Sequence, residues 1–100
     1  MGSKRKPYWR TWGTPKTLVL HRTPDRWRFA LYFEPPGGIA DGALDHPAPT
    51  CAPEAAQTAL HRRAEELTHR RLELSWQPTD QPDQWTGAVT KAGPLPATDH

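Results

Sequence analysis

Cysteine occurs once, at Cys51, so no disulfide within the chain can staple it. No apolar run approaches the ~20 residues that a membrane-spanning helix needs. No leader pattern of charged, apolar and small residues opens the chain, and Lys6 stands where a myristoylation signal wants Ser or Thr. These absences predict a soluble cytoplasmic protein with no membrane partner. His21, His46, His61, His69 and His100 show no zinc-ligand spacing, which predicts no metal. Gly37-Gly38 lies between Pro36 and Ile39 and opens no helix, so no phosphate-cradling loop exists and no cofactor is expected. Asp41, Asp45, His46 and Cys51 are the remaining candidates for chemistry. Their spacing does not by itself pair a nucleophile with a base, and a chain of 100 residues has little core from which to build a dry pocket. A Cys-dependent enzyme is therefore the remotest reading, and no catalytic residue is assigned.

Charge and aromatics are what the chain has. Residues 1–30 carry eight Lys or Arg (Lys4, Arg5, Lys6, Arg10, Lys16, Arg22, Arg26 and Arg28) against Asp25, a balance of +7. The other seventy residues carry five basic and ten acidic side chains, or −5, and the two sums recover the net +2. A basic front on an acidic back favours an anionic partner at one end, or head-to-tail self-association. Five Trp in so short a chain can supply much of its core, because each large aromatic buries roughly 150–250 Å². Nine Arg against four Lys, with Ala and Pro common, match a small protein from a GC-rich bacterial genome.

Periodicity divides the chain into a basic arm (1–7), one small domain (8–90) and a flexible tail (91–100). Ala56, Leu60, Ala64 and Leu67 form a narrow stripe at helical spacing, with Pro53 and Glu54 suited to the first turn. Glu66 with Arg70 makes an i,i+4 pair, and the helix should end near Thr68 or His69, because Leu72, Leu74 and Trp76 then alternate like a strand. Before the helix, Leu18 and Leu20 face Trp27, Phe29, Leu31 and Phe33 across Thr23-Pro24-Asp25-Arg26. A four-residue turn pairs Arg22 with Trp27, Leu20 with Phe29 and Leu18 with Leu31, which puts the large apolar residues on one face. After the helix, strands 71–77 and 85–90 make a second hairpin. Its Pro82-Asp83-Gln84-Trp85 echoes Pro24-Asp25-Arg26-Trp27, and shared turn grammar accounts for this better than duplication does. Residues 34–51 read as a long connection with a short strand near Ala43–Asp45, and Tyr8–Trp12 as a short edge strand or packed arm.

The expected fold is a two-layer α+β domain of order ββαββ, one helix packed on an antiparallel sheet of two hairpins. Its expected core is Leu18, Leu20, Trp27, Phe29, Leu31, Phe33, Leu60, Leu67, Leu72, Leu74, Trp85 and Val89. The uncovered sheet face would carry Thr17, His21, Arg26, Arg28, Tyr32, Arg71, Glu73, Ser75, Thr86 and Thr90. Two functions fit. The first is a non-enzymatic protein–protein interaction module, self-associating or with another protein, using exposed Trp or an unpaired sheet edge. The alternative is a DNA- or RNA-binding module using the arm (Lys4, Arg5, Lys6, Tyr8, Trp9, Arg10) and the open-face residues His21, Arg26, Arg28, Tyr32 and Arg71.

Overall fold

The computed structural model describes residues 13–35 and 37–94. The arm, the segment Tyr8–Trp12 and residues 95–100 lie outside the described residues. The order of elements is β1 (Pro15–Arg22), β2 (Trp27–Phe33), β3 (Ile39–Leu44), α1 (Pro53–Thr68), β4 (Leu72–Pro78) and β5 (Gln84–Ala92). The five strands form one antiparallel sheet in the order β3-β2-β1-β5-β4, with α1 packed on one face. This is the expected α+β architecture with a third strand added before the helix. Residues 34–51 therefore hold a six-residue strand that begins earlier than Ala43. Strand β5 also runs past Thr90 to Ala92, beyond the boundary read from the sequence.

The first hairpin has the register that its side chains dictate, with Leu18 opposite Leu31, Leu20 opposite Phe29 and Arg22 opposite Trp27. Its turn closes when the Thr23 N–H donates to the Arg26 carbonyl at 2.9 Å, while the Thr23 hydroxyl accepts from the Arg26 N–H at 3.1 Å. The second hairpin stands beside the first as a translated copy. Trp27 is the first residue of β2 and Trp85 the second of β5, with ring centroids 5.8 Å apart. The sequence echo thus falls on equivalent places in neighbouring hairpins.

Helix α1 starts with Pro53, where a missing N–H costs nothing, and carries Glu54 in its first turn. It stops because His69 takes a left-handed conformation (φ 57°) and donates its N–H to the Glu65 carbonyl at 2.8 Å. That reversal carries Arg70 off the helix surface, so the expected Glu66–Arg70 pair does not form. Arg70 donates to the Gly93 carbonyl at 2.8 Å, and Glu66 lies 3.7 Å from Arg63. The buried stripe is Ala56, Leu60, Ala64 and Thr68, whereas Leu67 is half-buried. Thr68 is accommodated because its hydroxyl donates to the Ala64 carbonyl at 2.7 Å.

Leu18, Leu20, Trp27, Phe29, Leu31, Phe33, Leu60 and Leu72 are buried as expected, joined by Leu44, Ala56 and Ala64. Leu74, Trp85 and Val89 pack against this core half-buried, as does Trp76. The reason lies in who covers them: α1 contacts β1, β2 and β4, so the small Ala stripe sits over the middle of the sheet and leaves its flanks to aromatics. Two cross-strand pairs show how. Phe29 faces Gly42, and Trp76 faces Gly87. A Cβ at Gly42 would lie 3.1 Å from the Phe29 ring, and one at Gly87 3.1 Å from the Trp76 ring. Each glycine is the floor on which an aromatic lies.

Two substitutions test this packing by urea denaturation. Leu60→Ala should cost about 2–5 kcal/mol, a large part of a small domain's margin. Gly87→Val should cost about 1–3 kcal/mol by lifting the Trp76 ring. Parent-like stability for either variant would contradict the helix seating or the ring placement.

Candidate functional site

Helix α1 must cross the sheet, because it connects one edge strand (β3) with the other (β4). Two sets of side chains pin that crossing. At the entry, Arg22 at the end of β1 donates to the main-chain carbonyls of Pro49 and of Cys51, the latter at 3.0 Å. The same guanidinium lies 4.4 Å from the Trp27 ring centroid, and its Nε donates to Asp83 Oδ1 at 3.1 Å. The Trp27 indole N–H donates to the Ala48 carbonyl at 3.0 Å. One planar cation thereby ties the connection before α1 to the first hairpin and to the turn between β4 and β5.

At the exit, His61 and Glu65 stand one turn apart on α1 and reach the first residue of β4. His61 Nε2 donates to the Leu72 carbonyl at 2.7 Å, and Glu65 Oε2 accepts from the Leu72 N–H at 2.8 Å. The ladder bond from the Thr79 N–H to the Gln84 carbonyl sets the alternation along β4. It makes Leu72, Leu74, Trp76 and Pro78 the residues whose main-chain groups point away from the sheet. The helix satisfies both groups of Leu72, and Pro78 has no N–H to offer. The bulge in this pair is carried by β5, where Thr90 is the extra residue between the partners of Glu73 and Leu74. Strand β4 is thus guarded at its two ends, at Leu72 and at Pro78, with only Leu74 and Trp76 left to offer an N–H between them.

Strand β3 is not. The Phe33 N–H donates to the Gly38 carbonyl at 3.2 Å, which fixes the alternation here and turns the N–H and C=O of Ile39, Asp41 and Ala43 outward. No hydrogen bond among the described residues reaches these six groups. The strand has neither Pro nor Lys to discourage pairing, and Ile39 is 62 % exposed. Beside it a cleft of about 340 Å³ opens between strand and helix, lined by Leu44, Asp45, His46, Ala59, Arg62 and Arg63. Leu44 and Ala59 give it an apolar wall, Asp45 stands on the strand side, and the helix side carries Arg62 and Arg63 together with Glu66, which lies 3.7 Å from Arg63.

The face away from the helix carries charges of both signs, Arg28 and Asp41 around a depression of about 200 Å³ and the cross-strand pair Glu73 and Lys91 farther along. By register it presents Thr17, Val19, His21, Arg28, Ala30, Tyr32, Ile39, Asp41, Ala43, Ser75, Thr86 and Ala88. His21 and Arg28 are cross-strand partners, and Tyr32, 39 % exposed, stands beside Ile39. These three expected site residues share the open face. Arg26 is exposed in the turn at the end of the first hairpin, and Arg71 is exposed just before β4, close to the end of α1, so neither belongs to that face. Thr90 sits in the β4–β5 irregularity and donates to the Glu73 carbonyl at 3.1 Å. Lys4, Arg5, Lys6, Tyr8, Trp9 and Arg10 lie outside the described residues.

The candidates for chemistry are separate. Cys51 is half-buried and donates its thiol hydrogen to the Ala52 carbonyl at 3.3 Å; Asp41 belongs to β3, and Asp45 and His46 line the cleft. No cluster of three or more His, Cys, Asp or Glu able to hold a metal occurs among the described residues. No described helix is long and apolar enough to cross a membrane. Sequence reasoning named Asp41 only as a candidate for chemistry and Ala43 only as the start of a short strand; it missed the open edge they form with Ile39, because what marks it is main-chain direction, to which side-chain patterning is blind. It paired Arg22 with Trp27 in the hairpin register but assigned the guanidinium no role there.

Arg22→Lys keeps the charge and loses the fork that reaches two carbonyls. It should cost about 2–3 kcal/mol in thermal or urea unfolding, and it should shift the Trp fluorescence of the folded state. A neutral substitution would mean that the crossover is held by something else.

No protein-family model, no curated protein and no solved structure matches this chain.

Proposed function

We propose that the chain is a non-enzymatic protein-interaction module that accepts an extended strand along the free edge of β3. The single observation that carries this reading is the difference between the two edges. Strand β4 is blocked at one end by His61 and Glu65 and at the other by Pro78, whereas along β3 the outward main-chain groups of Ile39, Asp41 and Ala43 meet no partner among the described residues, beside a partly apolar cleft. Natural sheets blunt edges that must stay single, so an edge left bare next to one that is guarded is an edge for use. Strand addition draws affinity from main-chain hydrogen bonds and specificity from pockets that take alternate side chains. The cleft beside Leu44 and Ala59 is such a pocket, with Arg62 and Arg63 at its rim.

Nucleic-acid binding draws support from the +7 balance of residues 1–30. It draws less from the open face, where Arg28 is the one Arg and Tyr32 the one aromatic among the described residues. Platforms that read single strands usually stack bases on two or three aromatics.

Chemical-shift mapping of the labelled chain separates these readings. Peptides selected from a random display library against the chain should perturb the amides of Ile39, Asp41 and Ala43, and Ala43→Pro should abolish their binding. Perturbation confined to Val19, Ala30 and Thr86, or binding indifferent to Ala43→Pro, would overturn the reading. Oligonucleotides that shift His21 and Arg28 in a salt-dependent way would favour the alternative.

A further inference from the structure

Resting on the reading of β3 as a used edge, we propose that its occupant is a second copy of this chain. The two copies pair β3 with β3 about a two-fold axis perpendicular to the sheet, making one ten-stranded antiparallel sheet with both helices on the same side.

Closure is the first argument. A bare edge that pairs with a different surface makes an open chain of molecules, whereas an edge that pairs with itself closes at two. The alternative head-to-tail contact, β3 of one copy against β4 of the next, meets Leu72 already bonded to His61 and Glu65 and Pro78 without an N–H. In the two-fold pair, each outer edge of the enlarged sheet is a β4 blocked at both ends, by the helix at Leu72 and by Pro78. The protection of one edge and the exposure of the other are what a closed dimer requires.

Register is the second argument. A two-fold pair of antiparallel strands must set outward-facing residues opposite one another, which allows Asp41 opposite Asp41 or Asp41 opposite Ala43 at equal overlap. Like charges directly opposed on one face are unfavourable, so Asp41 of one copy faces Ala43 of the other and Gly42 lies on the axis. Main-chain approach is easy there, because Ala40, Gly42 and Ala43 are small and the Phe29 ring already covers Gly42 on the helix side. Charge is the third argument. The acidic residues Asp41 and Asp45 lie along the strand while Arg62 and the Arg63–Glu66 pair line the helix side of the cleft, which leaves Arg62 as the cation open to an acidic residue of the second copy. Edge pairing alone buries little area, so the dimer is reversible and concentration-dependent.

Sedimentation equilibrium of the full chain over a range of concentrations tests this. The expected result is a monomer–dimer equilibrium, weakened at least ~10-fold by Ala43→Pro, which removes two intermolecular bonds per dimer. Ala43→Pro breaks no bond within a chain and follows the permissive Gly42, so its urea midpoint should match the parent's. A second measurement fixes the register. In a Cys51→Ala background, mixed Asp41→Cys and Ala43→Cys chains should cross-link with each other faster than either does with itself. A monomer at every concentration that still binds display peptides at the Ile39, Asp41 and Ala43 amides would overturn the dimer and leave the strand-addition reading standing. A monomer that binds none would remove both. A dimer indifferent to Ala43→Pro, or cross-linking fastest through Asp41→Cys alone, would overturn the pairing described.

Discussion

Everything at one end of this molecule hangs on the Arg22 guanidinium. It lies over Trp27, reaches the carbonyls of Pro49 and Cys51, and holds Asp83 of the turn between β4 and β5. The topology creates the need for it. A chain that leaves β3 at one edge and must enter β4 at the other has to carry a helix across three intervening strands. Without an anchor at the start of that crossing, α1 would be free to slide along the sheet, since its buried stripe is made mainly of small residues. Bonds from a charged donor to main-chain carbonyls at a partly buried site are among the stronger hydrogen bonds available, and the Trp27 indole adds one more to Ala48.

A fixed entry determines the exit. With the start of α1 set, His61 and Glu65 come down on Leu72 and close the main-chain groups at the beginning of β4. The same placement keeps α1 away from β3, so one edge is blocked where it begins and the other meets no partner among the described residues, with a cleft beside it. Asymmetry between the edges is therefore a consequence of where the helix is tied. The functional proposal and the dimer both grow from it.

Much of this was legible in the residues and some was not, for identifiable reasons. The first hairpin could be read to the register, because large apolar side chains alternate strictly and Pro24-Asp25 marks the turn. The helix was equally clear but its stop less so, because no Gly follows and His69 itself adopts the left-handed conformation; only the change of period after it marked the end. Strand β3 was hidden in Ile39-Ala40-Asp41-Gly42-Ala43-Leu44, where small residues replace the alternation of large ones. Those residues are small because the Phe29 ring occupies the space above Gly42, a fact about a neighbour that no local window contains. Trp76 over Gly87 is the same case on the other flank. His21, Arg28 and Tyr32 were rightly grouped on one face, while Arg26 and Arg71 fell to a turn and a connection just outside the strand pattern.

Residue-resolved amide hydrogen exchange, measured at two protein concentrations, is the most direct test of the difference between the edges. The Leu72 amide should be protected at both, held by Glu65. The amides of Ile39, Asp41 and Ala43 should exchange fast in dilute solution and slow as concentration rises. Fast exchange at Leu72, or protection of the three β3 amides that does not change with dilution, would contradict the account.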